Sequence, residues 1–239
     1  MKKRTFMMMI WVLIGLCCNV QAESLRTASG AGYKKIVEQW AGLYEQETGK
    51  KIERIYGNMG QVTAQVQHGG GICLVIGNKS YLSSHNMPVQ QYIAIGQGRP
   101  ALVTRKGLTL ASVADLAKPE FAKISAPDFQ KAIYGKAAYQ LLTAGGYDDI
   151  LKKVIEAGTV PRSGAYSISG EVDASFINLT FALANRDKFG SIIELKEGFQ
   201  PIEIVAGIIN GCEDDPEVAA FIRLLDTDSM REKLSAAGL

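Results

Sequence analysis

Two junctions in this chain join a strand-like run to a helical one through glycine and a short polar residue. The first is Ser29-Gly30-Ala31-Gly32 and the second is Gly57-Asn58-Met59-Gly60-Gln61. Glycine lets the backbone approach a bound group closely, and a helix start leaves its first N–H groups without partners. Such an end carries about +0.5 of an elementary charge and holds an anion without a lysine. In open α/β sheets ligands sit at the carboxyl ends of strands, which is where both junctions fall. A second reading stands beside this one: the glycines make tight turns, and Ser29 or Asn58 caps a helix. Neither junction is a Walker motif, since no Gly-Lys-Ser/Thr follows, and Gly30-x-Gly32 lacks the third glycine of a dinucleotide fingerprint.

Other chemistry is sparse. His68 and His85 are not in a metal-ligand spacing such as His-Glu-x-x-His. No Gly-x-Ser-x-Gly elbow occurs. Asp148-Asp149 and Glu213-Asp214-Asp215 stand beside helix starts, where carboxylates complement the dipole. Lys131, near Tyr134 and Gly135, reads either as a cation facing a cleft or as a solvated surface lysine. A secreted enzyme built on Lys131 and a cleft carboxylate lacks a convincing acid–base constellation.

The elements that position these residues alternate. Residues 25–29 form a short strand, and Ile36, Trp40, Leu43 and Tyr44 recur at helical spacing over 33–47, with Gly49 suited to a C-cap. Residues 51–56 read as a strand, 61–67 as a helix and 72–76 as a strand buried on both faces. That order predicts an α/β domain with a largely parallel sheet. Residues 90–104 are mostly extended, and 110–116 are a short helical segment. A second α/β unit follows: strands at 123–125 and 174–177, helices at 133–144 and 148–155, a helical turn at 164–170, and a helix beginning at 181–184. Residues 201–209 form a long apolar strand that returns to the first unit. Helices at 215–225 and 229–237 close the chain, with Pro216 in a first turn.

The 239 residues, 47% hydrophobic and 21% charged, are ordinary for a globular protein with a sizeable core. The formal charge of +2 is too small for an electrostatic nucleic-acid binder. It is also unevenly placed. Lys2, Lys3 and Arg4 precede an uncharged, mostly apolar run over residues 6–18, shorter than the roughly 20 residues that span a bilayer. Val20-Gln21-Ala22 follows with small residues at the −3 and −1 positions. Residues 1–22 therefore read as a cleaved secretory signal, with an N-terminal anchor as the alternative. Without them the chain keeps 217 residues and a charge of −1. Cys17 and Cys18 leave with the signal. Cys73 and Cys212 remain in a chain bound for an oxidising compartment, either as one disulfide or as two separate buried thiols.

Several segments together resemble the periplasmic substrate-binding proteins of the molybdate-binding type. Arg26-Thr27-Ala28-Ser29-Gly30 looks like that family's first strand with its ligand-binding Ser. Glu47-Thr48-Gly49-Lys50-Lys51-Ile52 is similar to its junction after the first helix. Tyr56-Gly57-Asn58-Met59-Gly60 looks like its second ligand loop, with Asn58 where Ser is usual. Ile72-Cys73-Leu74-Val75-Ile76-Gly77 resembles its "A-D-V-F-I-S" strand, with Cys73 for the Asp. Ala132-Ile133-Tyr134-Gly135-Lys136-Ala137-Ala138 is similar to its third loop and following helix, with Ile133 for the Pro. Ser169-Gly170-Glu171-Val172-Asp173-Ala174 resembles "T-G-E-A-D-A". A ligand-binding Tyr usual in the next strand falls on Asn178. Residues 201–211 and 221–239 look like the closing strand and helices.

The resemblance implies an α/β, two-lobed periplasmic-binding-protein type 2 architecture, with residues 23–100 and 198–239 in lobe one and 101–197 in lobe two. Two chain crossings would form the hinge. Donors to the ligand would come from Ser29, Gly30, Asn58, Met59 and Gly60 on one lobe and from Ala132, Ile133, Tyr134, Val160 and Asn178 on the other. The implied activity is capture of a small oxyanion, molybdate or tungstate before sulfate, phosphate or a small carboxylate. Delivery would be to a membrane permease driven by an ATPase. No catalysis, no cofactor, no resident metal, no nucleic acid and a monomeric periplasmic state are expected. The departures at Asn58, Ile133 and Asn178 fit a pocket suited to another oxyanion or to a small organic anion.

Overall fold

The computed structural model describes residues 24–68 and 70–239; the segment read as a signal lies outside them. From the N-terminus the chain runs β1 (Arg26–Gly30), a short 3-10 turn (Ala31–Tyr33), α1 (Lys34–Thr48), β2 (Glu53–Gly57), α2 (Met59–His68), β3 (Ile72–Asn78), α3 (Lys79–Ser84) and β4 (Val89–Gly98). It continues through β5 (Pro100–Thr104), β6 (Ile124–Ala126), α4 (Ile133–Ala144), α5 (Asp148–Leu151), β7 (Val154–Glu156), α6 (Val160–Ser169), β8 (Ala174–Asn178), α7 (Leu179–Ala184) and β9 (Ile192–Glu194). It ends with β10 (Ile202–Ile209), α8 (Pro216–Arg223) and α9 (Asp228–Ala236).

The ten strands form two five-stranded sheets, in the orders β2-β1-β3-β10-β4 and β7-β6-β8-β5-β9. β1 pairs in parallel with β2 and β3, whereas β10 is antiparallel to both β3 and β4. In the second sheet β6 runs parallel to β7 and β8, and β5 is antiparallel to β8 and β9. The chain crosses between the sheets twice, from Gly98 into Pro100 and between Glu194 and Ile202. The fold is two-lobed, and the returning strand β10 makes the first sheet mixed rather than largely parallel.

Local chemistry explains most of the elements. On α1 the residues Ile36, Val37, Trp40, Ala41 and Tyr44 are buried, the one-face spacing of an amphipathic helix. Gly49 ends it at φ 70°, where only a residue without Cβ is unstrained, and its N–H donates to Glu45 O at 3.0 Å. Trp40 stacks on Phe221 of α8 at 4.0 Å between centroids and donates its indole N–H to the Phe221 carbonyl at 2.8 Å. The closing helix is thereby fixed to the first one.

Four segments differ from the sequence reading. Residues 148–155 are not one helix: α5 stops at Leu151, and Val154–Glu156 pairs with β6 as an edge strand. The β-branched Val154 and Ile155 fit a pleated edge better than a helix interior. The helix read from residue 164 begins at Val160, because the Thr159 side chain accepts from the Arg162 N–H and Pro161 sits in the first turn. Helix α3 and strand β9, both short, carried no periodic signal long enough to read.

Two polar arrangements seat the second lobe's elements. Ser125, Ser163, Ser167 and Ser175 are all fully buried. Their hydroxyls bond to one another, with Ser125 to Ser163 at 2.9 Å, Ser125 to Ser175 at 2.8 Å and Ser167 to Ser175 at 2.6 Å. Ser163 also donates to the Phe176 carbonyl at 3.1 Å and Ser175 to that of Ser163 at 2.8 Å. Every hydroxyl proton has an acceptor, so the hydrogen bonds offset the desolvation of these groups and the network fixes α6 over β6 and β8.

The second arrangement is Asp173, in the segment resembling "T-G-E-A-D-A". One carboxylate oxygen accepts from the N–H groups of Ala122 at 3.0 Å and Lys123 at 2.9 Å; the other accepts from Arg105 Nε at 3.1 Å. Burial pushes this carboxyl up, but the two N–H donors and the guanidinium outweigh it and hold it below the usual carboxylate value. A depressed carboxyl contributes stability that is present above its unfolded value, about pH 4, and is lost as pH falls through the folded one. Asp173→Asn is therefore expected to cost about 1–3 kcal/mol at pH 7 and to flatten the acid limb of stability. Urea unfolding at pH 7 and pH 3 measures both; an equal loss at the two pH values would remove Asp173 from this role.

Candidate functional site

The carboxyl ends of β1 and β2 in one lobe face the loops after β6 and β7 in the other. Between them lies a small cavity of about 20 Å³, lined from the first lobe by Gly30 to Tyr33 and Gly57 to Met59 and from the second by Ala132 to Tyr134, Thr159 and Val160. No charged side chain stands in this wall. Four helical N-termini converge on it: the Ala31–Tyr33 turn, α2, α4 and α6. Each brings N–H groups that have no partner within their own helix.

Asn58 is a cap. Its Oδ1 accepts from the Gln61 N–H at 3.0 Å, and Gln61 Oε1 accepts from the Asn58 N–H at 2.9 Å, a reciprocal box. Gly57 is required there, since a Cβ would lie 2.9 Å from the Gln61 side chain. Asn58 Nδ2 is turned to the opposite lobe, 3.4 Å from the Gly158 carbonyl. Met59, whose side chain is buried, also lines the cavity. The capping reading of this junction is the one the contacts show, and the capped end of α2 faces the cavity.

The second lobe supplies the α4 and α6 ends. Ala132 precedes α4 with no side chain able to cap it, so the first N–H groups, at Ile133 and Tyr134, stay free of a side-chain partner. Val160 opens α6 behind its Thr159 cap. Tyr33 and Tyr134, from opposite lobes, bring their hydroxyls into mutual hydrogen bonding, with the rings tilted at 57°. Burial first, and then the partner hydroxyl, pushes the Tyr33 phenol well above its ordinary value; burial likewise raises Tyr134. Both are neutral O–H groups at physiological pH.

Of the residues read from the sequence, Gly30, Asn58, Met59, Ala132, Ile133, Tyr134 and Val160 stand in the cavity wall. Ser29, Gly60 and Asn178 do not. Ser29 is buried, its hydroxyl donating to the Gly30 carbonyl at 3.2 Å. Gly60 gives its N–H to the Lys131 carbonyl at 3.2 Å, across the lobes. Asn178 caps α7 through the Phe181 N–H at 3.0 Å and donates Nδ2 to the Gly32 carbonyl at 3.1 Å. Lys131 is exposed and lays its alkyl stem on Gly60 rather than its ammonium in the wall. Ala31, Gly32, Tyr33, Gly57 and Thr159 line the cavity without having been read as donors to the ligand. Ala31, Gly32 and Gly57 lie in the two glycine junctions, Thr159 carried the signal of a capping threonine two residues before a proline, and Tyr33 carried none.

These cross-lobe bonds hold the lobes together over the cavity. The wall offers hydrogen-bond donors and no nucleophile paired with a base. Among the described residues no group of three or more His, Cys, Asp or Glu is arranged to hold a metal. His85 lies away from the cavity, stacked on Tyr81 at 3.9 Å. Cys73 and Cys212 are joined in a disulfide with a Cα–Cα distance of 5.5 Å, which decides between the two states left open by the sequence.

Known proteins share this architecture. A putative binding protein of Haemophilus influenzae is 30% identical over 177 residues, 71% of this chain and 72% of the relative. The molybdate-binding protein ModA of Azotobacter vinelandii is 22% identical over 93% of this chain and 92% of its own length. The solved periplasmic molybdate-binding protein of that organism superposes with a TM-score of 0.80 at 22% identity, over 90% of this chain and 98% of that one. The sulfate-binding protein SubI of Mycobacterium tuberculosis superposes with a TM-score of 0.70 at 15% identity, over 90% and 85%. The fold is that of the molybdate-binding type of periplasmic protein. Residues 25–239 match the family described as bacterial extracellular solute-binding protein, and the chain belongs to that family.

Proposed function

We propose that this protein captures a small oxyanion, molybdate or tungstate first, in the periplasm and hands it to the membrane permease of an ABC importer. The observation that carries the reading is the convergence of four helical N-termini, two from each lobe, on a cavity without a charged side chain. Each N-terminus contributes partial positive charge and oriented N–H groups, which suits an anion held in the absence of water. The ligand set is Gly30, Asn58, Met59, Ala132, Ile133, Tyr134 and Val160, with Ser29, Gly60 and Asn178 shaping the loops that carry them. The lobes divide as 23–100 with 198–239 and 101–197. They open and close about the two crossings, hinge closure being the usual motion of such a fold. Residues 1–22 direct export and are removed in the course of it, and the mature monomer binds rather than turns over its ligand; the relatives are solute-binding proteins, not enzymes.

Sulfate, phosphate or a small carboxylate is the alternative ligand. Asn178 favours it: where the family's Tyr is usual, this residue is committed to a helix cap and to Gly32. A thermal-shift panel separates the candidates, because a ligand at 100 times its Kd adds about 2.7 kcal/mol of stability. Molybdate and tungstate are expected to raise Tm at micromolar concentration. A shift with another anion and none with these two would overturn the ligand choice. Asn58→Leu is expected to weaken binding about tenfold and to cost about 1 kcal/mol of stability through the lost cap. Calorimetry with tungstate checks it, and unchanged affinity would take Asn58 out of the site.

A further inference from the structure

We propose that Tyr33 is a ligand-contacting specificity residue, and that Tyr33 and Tyr134 together present one O–H to the bound anion. The inference rests on the anion-capture reading above. Its ground is a proton count. Each phenol carries one hydroxyl proton and two acceptor lone pairs. The two hydroxyls bond to each other, which uses one proton whichever residue donates. The second proton has no acceptor among the described side chains or carbonyls, although both residues are almost fully buried, Tyr33 at 1% and Tyr134 at 3% exposure. A buried donor without a partner costs as much as a lost hydrogen bond, so it points to an acceptor that arrives with a ligand.

The surroundings leave one direction for that acceptor. Behind the pair, Asn178 turns its Nδ2, itself a donor, to Gly32. The hinge residue Gly98 stands against the Tyr134 hydroxyl so closely that a Cβ there would lie 2.6 Å from it and 2.4 Å from Ile202. In front lies the cavity, which both tyrosines line, beside the N-terminal ends of α2, α4 and α6. The helix ends on that side turn N–H donors to the cavity, and an anion oxygen held by them is the acceptor this geometry offers the free proton. Because one phenol comes from each lobe, the O–H is positioned only when the lobes are together.

Affinity for tungstate, molybdate, sulfate and phosphate, each measured by calorimetry, tests this with Tyr33→Phe, Tyr134→Phe and the double variant. In either single variant the remaining phenol keeps its own proton, so it still donates to the anion. Only the bond between lobes is lost, and the expected weakening is about three- to tenfold. The double variant loses the donor too and is expected to bind at least about tenfold more weakly than the poorer single variant. A double variant no weaker than that single one would show that the pair is a lobe-to-lobe bond alone, and would overturn the proposal. If none of the four anions binds the unaltered protein, the reading of an inorganic oxyanion as ligand falls, and the contact with it. Should the double variant not fold, the buried hydroxyl protons of the unaltered protein report instead by NMR. One is expected to shift on addition of the binding anion; no shift would overturn the contact.

Discussion

Replacing Cys73 by Ser, with Cys212→Ser alongside to avoid a free thiol, is expected to lower the thermal midpoint by about 5–20 °C. The bridge spans 139 residues of sequence. Closing so long a loop restricts the unfolded chain, and the chain-entropy estimate for it is about 5 kcal/mol, with measured losses of native bridges at about 2–5 kcal/mol. For a domain of this size each kcal/mol moves Tm by about 2–4 °C. Topology makes the bridge more than a generic staple. The loop it closes contains the whole second sheet, from Pro100 to Glu194, together with both crossings. Cys73 lies in β3 and Cys212 just beyond β10, the strand that returns to pair with β3. The covalent link therefore holds the return strand in register whatever the second lobe does. Calorimetric melting of the oxidised protein, with and without reductant, measures the effect. A reduced protein melting within 1–2 °C of the oxidised one would mean that the sheet alone holds this strand.

Gly135→Ala is expected to destabilise the protein by about 1–3 kcal/mol and to weaken anion binding by about tenfold or more. Gly135 sits in the first turn of α4, against the loop that follows β6. A Cβ there would lie 2.1 Å from the Asp128 carbonyl oxygen and 2.5 Å from that of Pro127. Both are backbone atoms and cannot swing aside as a side chain would. The loop is also tied internally, with Asp128 accepting from the N–H groups of Gln130 at 2.8 Å and Lys131 at 2.7 Å through its carboxylate and from Ala132 at 3.1 Å through its carbonyl. The added methyl must push the start of α4 away. That moves the Ile133 and Tyr134 N–H groups, parts the two tyrosine hydroxyls and draws the Lys131 carbonyl from Gly60. Gly42→Ala is the control: nothing beyond its chain neighbours and its own helix backbone lies within 4 Å of its Cβ position, and alanine in mid-helix is expected to stabilise by about 0.5–1 kcal/mol. Urea unfolding and tungstate calorimetry on both variants give the comparison. A Gly135→Ala protein that binds as the unaltered one does would show that α4 can move without disturbing the cavity.

Much of the site's neighbourhood is legible from short-range patterns. The Gly30 and Gly57 junctions mark strand ends followed by helix starts, and Asn58 with Gln61 three residues on is a readable cap. The α4 helix is readable to the residue. The partners of these groups are not. That Gly60 spends its N–H on Lys131, that Asn58 Nδ2 turns to Gly158 and that Asn178 is held by Gly32 all depend on how the second lobe lies over the first. Lys131 shows the same limit: its position near Tyr134 and Gly135 suggested a cation for the cleft, yet its stem is set on Gly60 and its head is in solvent.

The amino-acid sequence by itself determined the alternation of strands and helices, the glycine junctions at their turns and the near-neutral charge of residues 23–239. Each of these follows from periodicity, capping or composition over a few residues. The tertiary structure alone decided the antiparallel return of β10 between β3 and β4, the extended pairing of residues 154–156 and the joining of Cys73 to Cys212. It alone brought Tyr33 to Tyr134, 101 residues apart, beneath four helix ends. The physical reason is that burial and long-range pairing fix which donors are used up and which remain free. An anion binds to the donors that remain, and their number is a property of the closed fold.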